Sequence, residues 1–465
     1  MGRVNSGYPI LDYINNSSND RTSYIKIQIM LDNKNIFFKK KILIYGLGKS
    51  GLSTFRFLKK QNEIYLYDDK KNIIKNIEIK KKLISYKKII KKKIDYIIVS
   101  PGINIYKCQL SSFLKKNLKK INTDLDIFFS QHGKNKNITI TGTNGKSTTA
   151  KIVHEVLKQQ KIDARVVGNI GNPILLEKNV TNKTVFVIEV SSYQLDYSKI
   201  FRSNISVILN ISPDHLERHK TLKNYIKAKF KLIKSQTKKD FAILNTNNFY
   251  IKQQLINNNF LPKIIKVNKH IDASFLNKIY NPYFLTDGNK ENLSFVIEIA
   301  KIFKIKKKFL FKVLNNFRGL KYRQQIIFRS KDLTIINDSK ATSFSSSVSI
   351  LKSMSNVSWV LGGLAKKGDK FLLSKNDCKN FKAYIFGKNR SIFIDKLKKV
   401  IKYESFINLK ILVKKIFLDI KNKKNKKHQT ILFSPAAASF DSFKNFEERG
   451  KYFNNLIKRL GNVKQ

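Results

Sequence analysis

The chain has 465 residues, 42% of them hydrophobic, and its 92 Lys and Arg against 32 Asp and Glu give a formal net charge of +60 at pH 7. This length and apolar content exclude a disordered chain and suffice for roughly two to four folded domains. Only 12 of the cations are Arg, and the 80 Lys are spread along the whole chain. Nucleic-acid readers concentrate Arg and aromatic residues on one face, so the charge favours a lysine-rich solvated surface over a specific nucleic-acid partner.

Cysteine content and hydropathy indicate the cellular compartment. Cys108 and Cys378 are too few for a disulfide framework and do not have metal-ligand spacing. No apolar run approaches the roughly 18 residues of a membrane span, and the N-terminus lacks the apolar region of a signal peptide. We therefore expect a cytoplasmic protein with no membrane insertion.

Taken in chain order, the elements predict three successive α/β units. Residues 1–39 are polar and predicted to be a flexible N-terminal extension and lead-in. From Lys41 onward, short β-branched and aromatic runs alternate with helical patterns, which is typical of parallel sheets wrapped by helices. Helices are predicted at 50–60 and from Lys146. Strands are predicted at 41–45, 63–67, 95–100, 137–141, 185–190, 205–210, 241–245, 334–337, 359–362, 383–387 and 430–434. The predicted units are residues 40–131, 132–320 and 321–465.

A glycine-rich turn, Gly46-Leu47-Gly48-Lys49-Ser50-Gly51, joins the first strand to the first helix, and Asp68 follows the next strand. Such glycines let the backbone approach a phosphate at a helix N-terminus, and the acidic residue can bind a ribose. By itself the motif indicates only a nucleotide-like ligand, and a purely structural tight turn is the alternative. Ser100-Pro101-Gly102 ends another strand of the same unit, at the sheet edge where such folds bind ligands, which favours binding.

The second unit begins with a phosphate-binding loop, Thr141-Gly142-Thr143-Asn144-Gly145-Lys146-Ser147-Thr148, between a strand and a helix. Backbone N–H groups and the helix dipole cradle an anion, Lys146 neutralises it, and the Ser147 hydroxyl can hold Mg²⁺. Ile140 stands where the full pattern has its first glycine. The strand–loop–helix context nevertheless favours ATP binding over a chance match.

Two further polar residues follow strands of the same unit. Glu189 ends one strand, and His215 lies in Ser212-Pro213-Asp214-His215 after the next. Both are predicted at the sheet edge that carries the phosphate loop, where they could ligate Mg²⁺, although His is a less usual ligand for this ion than oxygen. Each alone is more often a satisfied polar residue; beside a phosphate loop the catalytic interpretation is favoured.

Three loops at strand ends of the third unit carry cations and hydroxyl groups. They contain Asp338 to Thr342, Gly362-Gly363 with Lys366, and Ser434-Pro435 leading to Ser439 and Phe446. This set suggests a pocket for an anionic small molecule. Ordinary Asp and Ser helix caps are the alternative for any one of the loops.

Together these motifs carry a resemblance to a known family. The ordered set comprises residues 142–147, Gly168-Asn169-Ile170-Gly171, residues 189–195, Asp214-His215-Leu216-Glu217-Arg218-His219, Ala228-Lys229, Asn337-Asp338-Ser339-Lys340-Ala341-Thr342, and residues 434–441 with Phe443 and Phe446 through Arg449-Gly450. Over about residues 40–460 the chain resembles the Mur ligases. The C-terminal block and Asp-Ser-Lys-Ala-Thr are most similar to the branch of the family that adds D-glutamate.

The resemblance implies a three-domain α/β architecture. The N-terminal domain would be Rossmann-like and bind the UDP-substrate, and the central domain would be P-loop ATPase-like and bind ATP. The C-terminal domain would be Rossmann-like and bind the incoming amino acid. The implied reaction adds D-glutamate to UDP-N-acetylmuramoyl-L-alanine with ATP, through an acyl phosphate, in peptidoglycan precursor synthesis. It implies a monomer with small-molecule substrates. The nucleotide expected at the first glycine-rich turn thereby becomes UDP and not NAD.

The resemblance also implies roles for individual residues. Those expected to bind ATP are Gly142, Thr143, Asn144, Gly145, Lys146, Ser147, Thr148, Asn292, Arg323 and Asp338. Those expected to hold two Mg²⁺ ions are Ser147, Glu189, His215 and Lys229, the last as a carbamate formed with CO₂. Those expected to take part in catalysis are Lys146, Lys229, His215 and Lys340. Those expected to bind the UDP-substrate are Lys49, Ser50, Asp68, Ser100, Pro101, Gly102, Asn169, Ser191 and Gln194. Those expected to bind D-glutamate are Thr342, Lys366, Ser439, Phe440 and Phe446. Without the resemblance, Lys229 would be interpreted as a solvated helix lysine.

Some positions depart from the family pattern, and other functions stay open. The residues Tyr322, Gln325 and Gly288 stand where the family has His, Glu and His, on the side of the site expected to bind adenine. The nearest alternative is a sister ligase for another amino acid or an enzyme like folylpolyglutamate synthase. A nucleic-acid-binding ATPase would have no use for Glu189 and His215, and a nicotinamide dehydrogenase would have no use for the second phosphate loop.

Overall fold

The computed structural model describes residues 36–70, 76–267, 271–365, 369–422 and 427–460. Residues 1–35 of the extension predicted for residues 1–39 therefore lie outside the described residues. Lys366 also lies outside them. Spatial proximity divides the chain into two compact units, residues 1–269 with 295–306 and residues 270–294 with 307–465. The domain boundaries at 132 and 320 stay predictions.

The first unit contains two sheets, and the first of these is built on buried aliphatic and aromatic runs. Its four strands are parallel in the order β2-β1-β3-β4. The strands are β1 (Lys41–Tyr45), β2 (Glu63–Tyr67), β3 (Tyr96–Val99) and β4 (Ile121–Asn122). The accompanying helices are α1 (Lys49–Leu58), α2 (Ile77–Lys82), α3 (Tyr86–Ile90), α4 (Ser111–Lys116) and α5 (Asp124–His132).

The second sheet of this unit has six parallel strands in the order β10-β9-β8-β5-β7-β6. The strands are β5 (Asn137–Thr141), β6 (Ala164–Gly168), β7 (Val185–Glu189), β8 (Ile205–Ile208), β9 (Phe241–Asn245) and β10 (Lys263–Val267). The helices are α6 (Lys146–Gln159), α7 (Ser192–Tyr197), α8 (Leu216–His219), α9 (Leu222–Lys234) and α10 (Phe249–Asn257). The central strands β5, β7 and β8 are buried along their whole length, and the loops after their carboxyl ends therefore meet at one edge.

The second unit contains the third sheet, in the order β11-β12-β16-β13-β14-β15, with β11 antiparallel to β12 and the other pairs parallel. The strands are β11 (Gln325–Arg329), β12 (Leu333–Asn337), β13 (Val357–Gly362), β14 (Phe381–Phe386), β15 (Lys402–Phe406) and β16 (Gln429–Phe433). The helices are α11 (Ala273–Leu276), α12 (Asp287–Ile302), which passes into the first unit, α13 (Lys307–Asn316), α14 (Phe344–Leu351), α15 (Arg390–Leu397), α16 (Leu409–Lys421) and α17 (Phe446–Leu460).

All eleven predicted strands are present to within two residues at their ends, and the α/β fold class is confirmed. Five strands were not predicted: β4, β6, β10, β11 and β15. Among the described residues, no helix combines the length and the apolar character needed to span a membrane.

Candidate active site

The phosphate loop lies between β5 and α6, and its conformation depends on two glycines. Gly142 has φ +157° and Gly145, which precedes the helix, has φ +82° in the left-handed region that favours glycine. The Lys146 Nζ donates hydrogen bonds to the carbonyl oxygens of Gly142 and Thr143 at 2.9 and 2.8 Å. The lysine ammonium therefore lies directly over the loop, at the N-terminus of α6, where an anion would also be attracted by the helix dipole.

The loop after β8 holds the phosphate loop in place. The backbone N–H of Asn144 donates to the Asn210 side-chain oxygen at 2.8 Å, and the Thr143 N–H donates to the Asn210 carbonyl at 2.9 Å. The Ser212 N–H donates to Thr143 Oγ1 at 3.0 Å, and the Tyr225 hydroxyl lies 3.1 Å from the same atom. Asn210 and Tyr225 were not assigned a function from the sequence, because nothing local in the sequence indicates these partners.

Glu189 is the last residue of β7 and pairs in register with Ile140 of β5, immediately before the phosphate loop. Its side chain is 4% exposed, and its Oε2 has no hydrogen-bond partner. A buried carboxylate oxygen without a partner is costly unless a cation or donor occupies the space beside it. The donor chemistry of this atom fits a hard metal ion such as Mg²⁺.

Lys229 lies on α9 and is 1% exposed, so it is not the solvated helix lysine that its sequence context alone would suggest. Its Nζ donates to the Gly142 carbonyl at 2.9 Å and to Thr141 Oγ1 at 3.3 Å, and lies 4.6 Å from the centre of the Tyr225 ring. Burial, followed by repulsion from Lys146, lowers the pKa of Lys229 well below its ordinary value. Burial at the base of the phosphate loop therefore disfavours the charged form of this amine.

His215 has φ +55°, immediately before the short helix α8. Its side chain is exposed, with Nε2 3.4 Å from Asp214 and Nδ1 3.7 Å from Glu217. Its ring contacts the Tyr193 ring in a tilted arrangement, with the centroids 4.9 Å apart. The neighbouring His219 is buried, with its Nε2 2.9 Å from the Ser192 Oγ. Burial lowers the pKa of His219 to about 4. Among the described residues, no three His, Cys, Asp or Glu side chains form a metal-binding group.

In the first sheet, the residues predicted to bind the UDP-substrate surround the turn after β1. Asp68 accepts a hydrogen bond from the Leu47 N–H at 2.6 Å, and Ser100 Oγ donates to the Gly46 carbonyl at 2.6 Å. A Cβ at Gly51 would lie 1.9 Å from the Gly46 oxygen, so this glycine is needed for the close approach of turn and helix. Asp68 and Ser100 thus shape the turn. Lys49 and Gly102 are exposed beside it, and Pro101 is half-buried.

Three further residues predicted to bind the UDP-substrate follow β6 and β7. Asn169 is exposed, and its N–H donates to the Glu189 carbonyl at 3.1 Å. Ser191 and Gln194 form a capping box at the start of α7, in which each side chain satisfies a backbone N–H of the other. The sequence therefore brings Asn169, Ser191 and Gln194 to the same strand ends as Glu189.

In the second unit, Asp338 follows β12 and is buried. Its oxygens accept hydrogen bonds from the Gln324 N–H at 3.1 Å and the Ser434 hydroxyl at 3.3 Å. Burial raises the pKa of Asp338 to about 7, against the opposing effects of these hydrogen bonds and of nearby Arg323.

Lys340 and Phe446 form a cation–π contact in this unit. The Lys340 Nζ lies 4.1 Å from the centre of the Phe446 ring, and burial lowers the pKa of Lys340. Ser439 is buried, whereas Thr342 and Phe440 are exposed. The structure therefore joins Lys340 to one of the residues predicted to bind D-glutamate.

Comparison with known proteins agrees with this arrangement. Residues 140–309 match the family model of the Mur ligase middle domain, and residues 40–122 match that of the Mur ligase MurD-like N-terminal domain. The UDP-N-acetylmuramoylalanine–D-glutamate ligase of Rickettsia bellii (strain RML369-C) is 32% identical over 91% of this chain and 98% of its own length. The chain belongs to the Mur ligase family. The enzyme of the same name from Caldicellulosiruptor saccharolyticus is 30% identical over 91% of this chain and 99% of its own.

Solved Mur ligase structures share the fold. The UDP-N-acetylmuramate-alanine ligase MurC from Thermotoga maritima superimposes with a TM-score of 0.51 at 16% identity, covering 91% of this chain and all of its own. MurF from Acinetobacter baumannii superimposes with a TM-score of 0.52 at 14% identity, covering 81% of this chain and 87% of its own. These likenesses support the Mur ligase architecture that the sequence predicted.

In this Mur ligase, two of the departures from the family pattern, Tyr322 and Gln325, bond to each other. Gln325 Oε1 accepts from the Tyr322 N–H at 3.1 Å, and Gln324 Oε1 accepts from Asn289 at 2.9 Å. Asn292, predicted to contact the nucleotide, donates to Asn289 at 3.4 Å. A Cβ at Gly450 would lie 2.4 Å from the Tyr322 ring, so the tyrosine packs onto a glycine of α17.

Arg449 is a structural residue of this Mur ligase that had no assigned role in the sequence interpretation. It is 1% exposed and donates to the carbonyls of Ser339 and Ala437 at 2.7 and 2.9 Å, and to the Ser339 hydroxyl at 3.1 Å. It thereby ties the loop of Asp338 and Lys340 to the loop that carries Ser439. Its position in the C-terminal sequence block was the available signal.

Proposed function

We propose that this Mur ligase adds D-glutamate to UDP-N-acetylmuramoyl-L-alanine through an acyl phosphate, forming an amide bond and releasing ADP and phosphate, in peptidoglycan precursor synthesis. The names of the curated relatives support the choice of substrate. The observation that carries the chemistry is the buried, unpartnered Glu189 oxygen on the strand next to the phosphate loop. The metal ions that accompany a bound nucleoside triphosphate would supply the positive charge that this oxygen lacks.

The reaction brings together several anions, so the main task of the protein is charge stabilisation and positioning. Lys146 and the N-terminus of α6 would bind the terminal phosphates, together with residues 142–145 and Thr148. Ser147, Glu189, His215 and a Lys229 carbamate would hold two Mg²⁺ ions. When bound, these ions would neutralise charge on the phosphates and on the substrate carboxylate that becomes the acyl phosphate.

The burial of Lys229 and the lowered pKa of its amine support its proposed carbamylation. The Nζ lone pair would attack the carbon of CO₂, forming an N–C bond while one C=O π bond opens onto oxygen. The nitrogen then loses a proton to solvent, leaving an anionic carbamate. The step replaces an amine, whose charged form is costly beside Lys146, with an anionic oxygen donor for a metal ion.

The remaining substrates would bind on residues that the family resemblance assigns. The UDP portion would bind at Lys49, Ser50, Asp68 and Ser100-Pro101-Gly102, and the muramoyl-alanine portion at Asn169, Ser191 and Gln194. The adenine nucleotide would also contact Asn292, Arg323 and Asp338. D-glutamate would bind at Thr342, Lys366, Ser439, Phe440 and Phe446, with Lys340 near the transferred phosphate. We propose that the enzyme acts as a monomer in the cytoplasm.

The experiment that tests this proposal is an amino-acid panel. Purified protein is incubated with ATP, Mg²⁺, UDP-N-acetylmuramoyl-L-alanine and one amino acid at a time, and products are measured by mass spectrometry. We expect the mass increase of one glutamyl residue with D-glutamate alone. Lys146→Ala should abolish the product, whereas Lys151→Ala, which loses a half-buried i,i+4 pair with Glu155 on the same helix, should retain it. Efficient addition of a different amino acid would refute the proposed specificity and indicate a sister ligase.

A further inference from the structure

A buried carboxylate, Asp124, connects the two groups of residues proposed to bind the UDP-substrate. It is the first residue of α5, follows the helix-capping Thr123, and is 5% exposed. Its Oδ2 accepts a hydrogen bond from Ser50 Oγ at 2.6 Å, and its Oδ1 accepts one from Gln194 Nε2 at 3.3 Å. Ser50 belongs to the glycine-rich turn of the first sheet, and Gln194 belongs to α7 of the second.

The contact determines what the Ser50 hydroxyl can do. A hydroxyl has one proton to donate, and an ionised carboxylate only accepts. Because the Ser50 proton is given to Asp124, it is not available to a diphosphate bound at the same turn. The Ser50 side chain therefore acts as a link to α5.

The contact also fixes the orientation of the Gln194 amide. Its Oε1 accepts from the Ser191 N–H at 3.2 Å and from the Ser191 hydroxyl at 3.1 Å, while Nε2 faces the carboxylate. An acceptor-only carboxylate on one side and a backbone N–H on the other permit one arrangement of the amide. One N–H of Nε2 is thereby used, and the second has a fixed direction.

We infer that Asp124 is a positioning residue for the UDP-substrate, because it holds Ser50 and Gln194 in one hydrogen-bonded chain. The turn proposed to bind the nucleotide and the helix proposed to bind the muramoyl-alanine portion are therefore aligned before the substrate arrives. Pre-alignment of this kind raises affinity because less freedom is lost on binding. The inference rests on the proposed function for the identity of the ligand.

Asp126 provides a matched control two residues away. It is also a buried carboxylate on α5, but its Oδ1 accepts from the Ser198 hydroxyl at 2.7 Å and from the backbone N–H groups of Lys199 and Ile200 at 2.8 and 2.9 Å. Its other oxygen accepts from the Thr123 N–H at 2.9 Å. None of these partners is among the proposed substrate-binding residues, so the role of Asp126 is structural.

The test compares Asp124→Asn with Asp126→Asn by calorimetric binding of UDP-N-acetylmuramoyl-L-alanine, steady-state kinetics and thermal unfolding. Asp124→Asn replaces one of the two acceptor oxygens with an amide donor. It should raise the Kd and KM for this substrate about tenfold or more, and the KM values for ATP and D-glutamate should change by less than about twofold. Asp126→Asn should lower the Tm without this selectivity. Ser50→Ala should weaken binding in the wild-type background and have little further effect in Asp124→Asn.

The outcomes separate the inference from the proposed function. If wild-type protein binds the UDP-substrate without turning it over, and Asp124→Asn weakens that binding, the inference stands and the proposed reaction fails. If the wild type catalyses the reaction and Asp124→Asn has wild-type Kd and KM, or raises all three KM values equally, the inference is overturned. If the wild type neither binds nor converts the UDP-substrate, both are overturned.

Discussion

At the scale of single residues, Asp338 combines burial with a raised pKa, and this makes a prediction about stability. Its pKa of about 7 in the folded protein lies above the ordinary value of 3.8. Folding therefore favours the protonated acid, and the stabilisation present below pH 3.8 is lost as the pH rises to 7. Asp338→Asn, which removes the charge and keeps the shape, should raise the Tm relative to wild type at pH 8 and much less at pH 4.5. An equal Tm difference at both pH values would contradict this assignment.

Lys229 makes the second prediction at this scale. If its carbamate supplies a metal ligand, Lys229→Ala should lose most of its activity, and an added short carboxylate such as acetate or formate should partly restore it. The neighbouring Lys227→Ala variant, also on α9, is the control, because short carboxylates should not change its activity. The measurement is phosphate release against carboxylate concentration. Wild-type activity in Lys229→Ala would refute the proposed role.

The residues that local sequence could not assign have partners far away in the chain. Asp124 bonds to Ser50 and Gln194, which lie 74 and 70 residues from it. Asn210 bonds to Asn144 across 66 residues. The phosphate loop itself was predictable because its glycines, lysine and serine are consecutive and each has a local physical role. The burial of Lys229 was not predictable from the helix pattern, because the same helix carries several other lysines and its sequence does not distinguish Lys229 from them.

At the scale of elements, the strands that sequence patterns missed share one property. β4, β6, β10, β11 and β15 all lie at the edges of their sheets. An edge strand pairs on one side only and is less buried, so it needs no continuous apolar run; β10 reads KIIKV and β15 reads KYESF. The central strands were predicted because burial on both faces requires consecutive aliphatic residues.

The pairing of β6 with β7 supplies a prediction for an element. Gly168 has φ +103°, and a Cβ there would lie 2.3 Å from the carbonyl oxygen of Glu189. Gly168→Ala should therefore displace the end of β7. It should reduce the free energy of unfolding by about 1–3 kcal/mol, which lowers the Tm by several degrees. It should also raise the Mg²⁺ concentration needed for half-maximal activity. Gly288→Ala, where a Cβ would contact nothing within 4 Å, is the control for stability. A Gly168→Ala variant with wild-type Tm and Mg²⁺ dependence would show that Glu189 is not held by this strand pair.

At the scale of the whole molecule, the net charge of +60 is largely separate from the proposed chemistry. Among the described residues, Lys229 and Arg449 are the Lys and Arg side chains that are fully buried, and only a few others lie at the proposed sites. We therefore expect ATP turnover to be unchanged by added DNA or RNA at physiological salt. A nucleic-acid-dependent ATPase would instead show stimulation that falls steeply with salt concentration, and phosphate release with and without polynucleotide measures the difference.

The most direct test of the ligase assignment is phosphate release in a substrate-omission series. Complete reactions contain protein, ATP, Mg²⁺, UDP-N-acetylmuramoyl-L-alanine and D-glutamate, and each organic substrate is omitted in turn. The ligase account predicts sustained phosphate release only when both the UDP-substrate and D-glutamate are present, in a one-to-one ratio with the amide product. Phosphate release that continues unchanged without D-glutamate would contradict it.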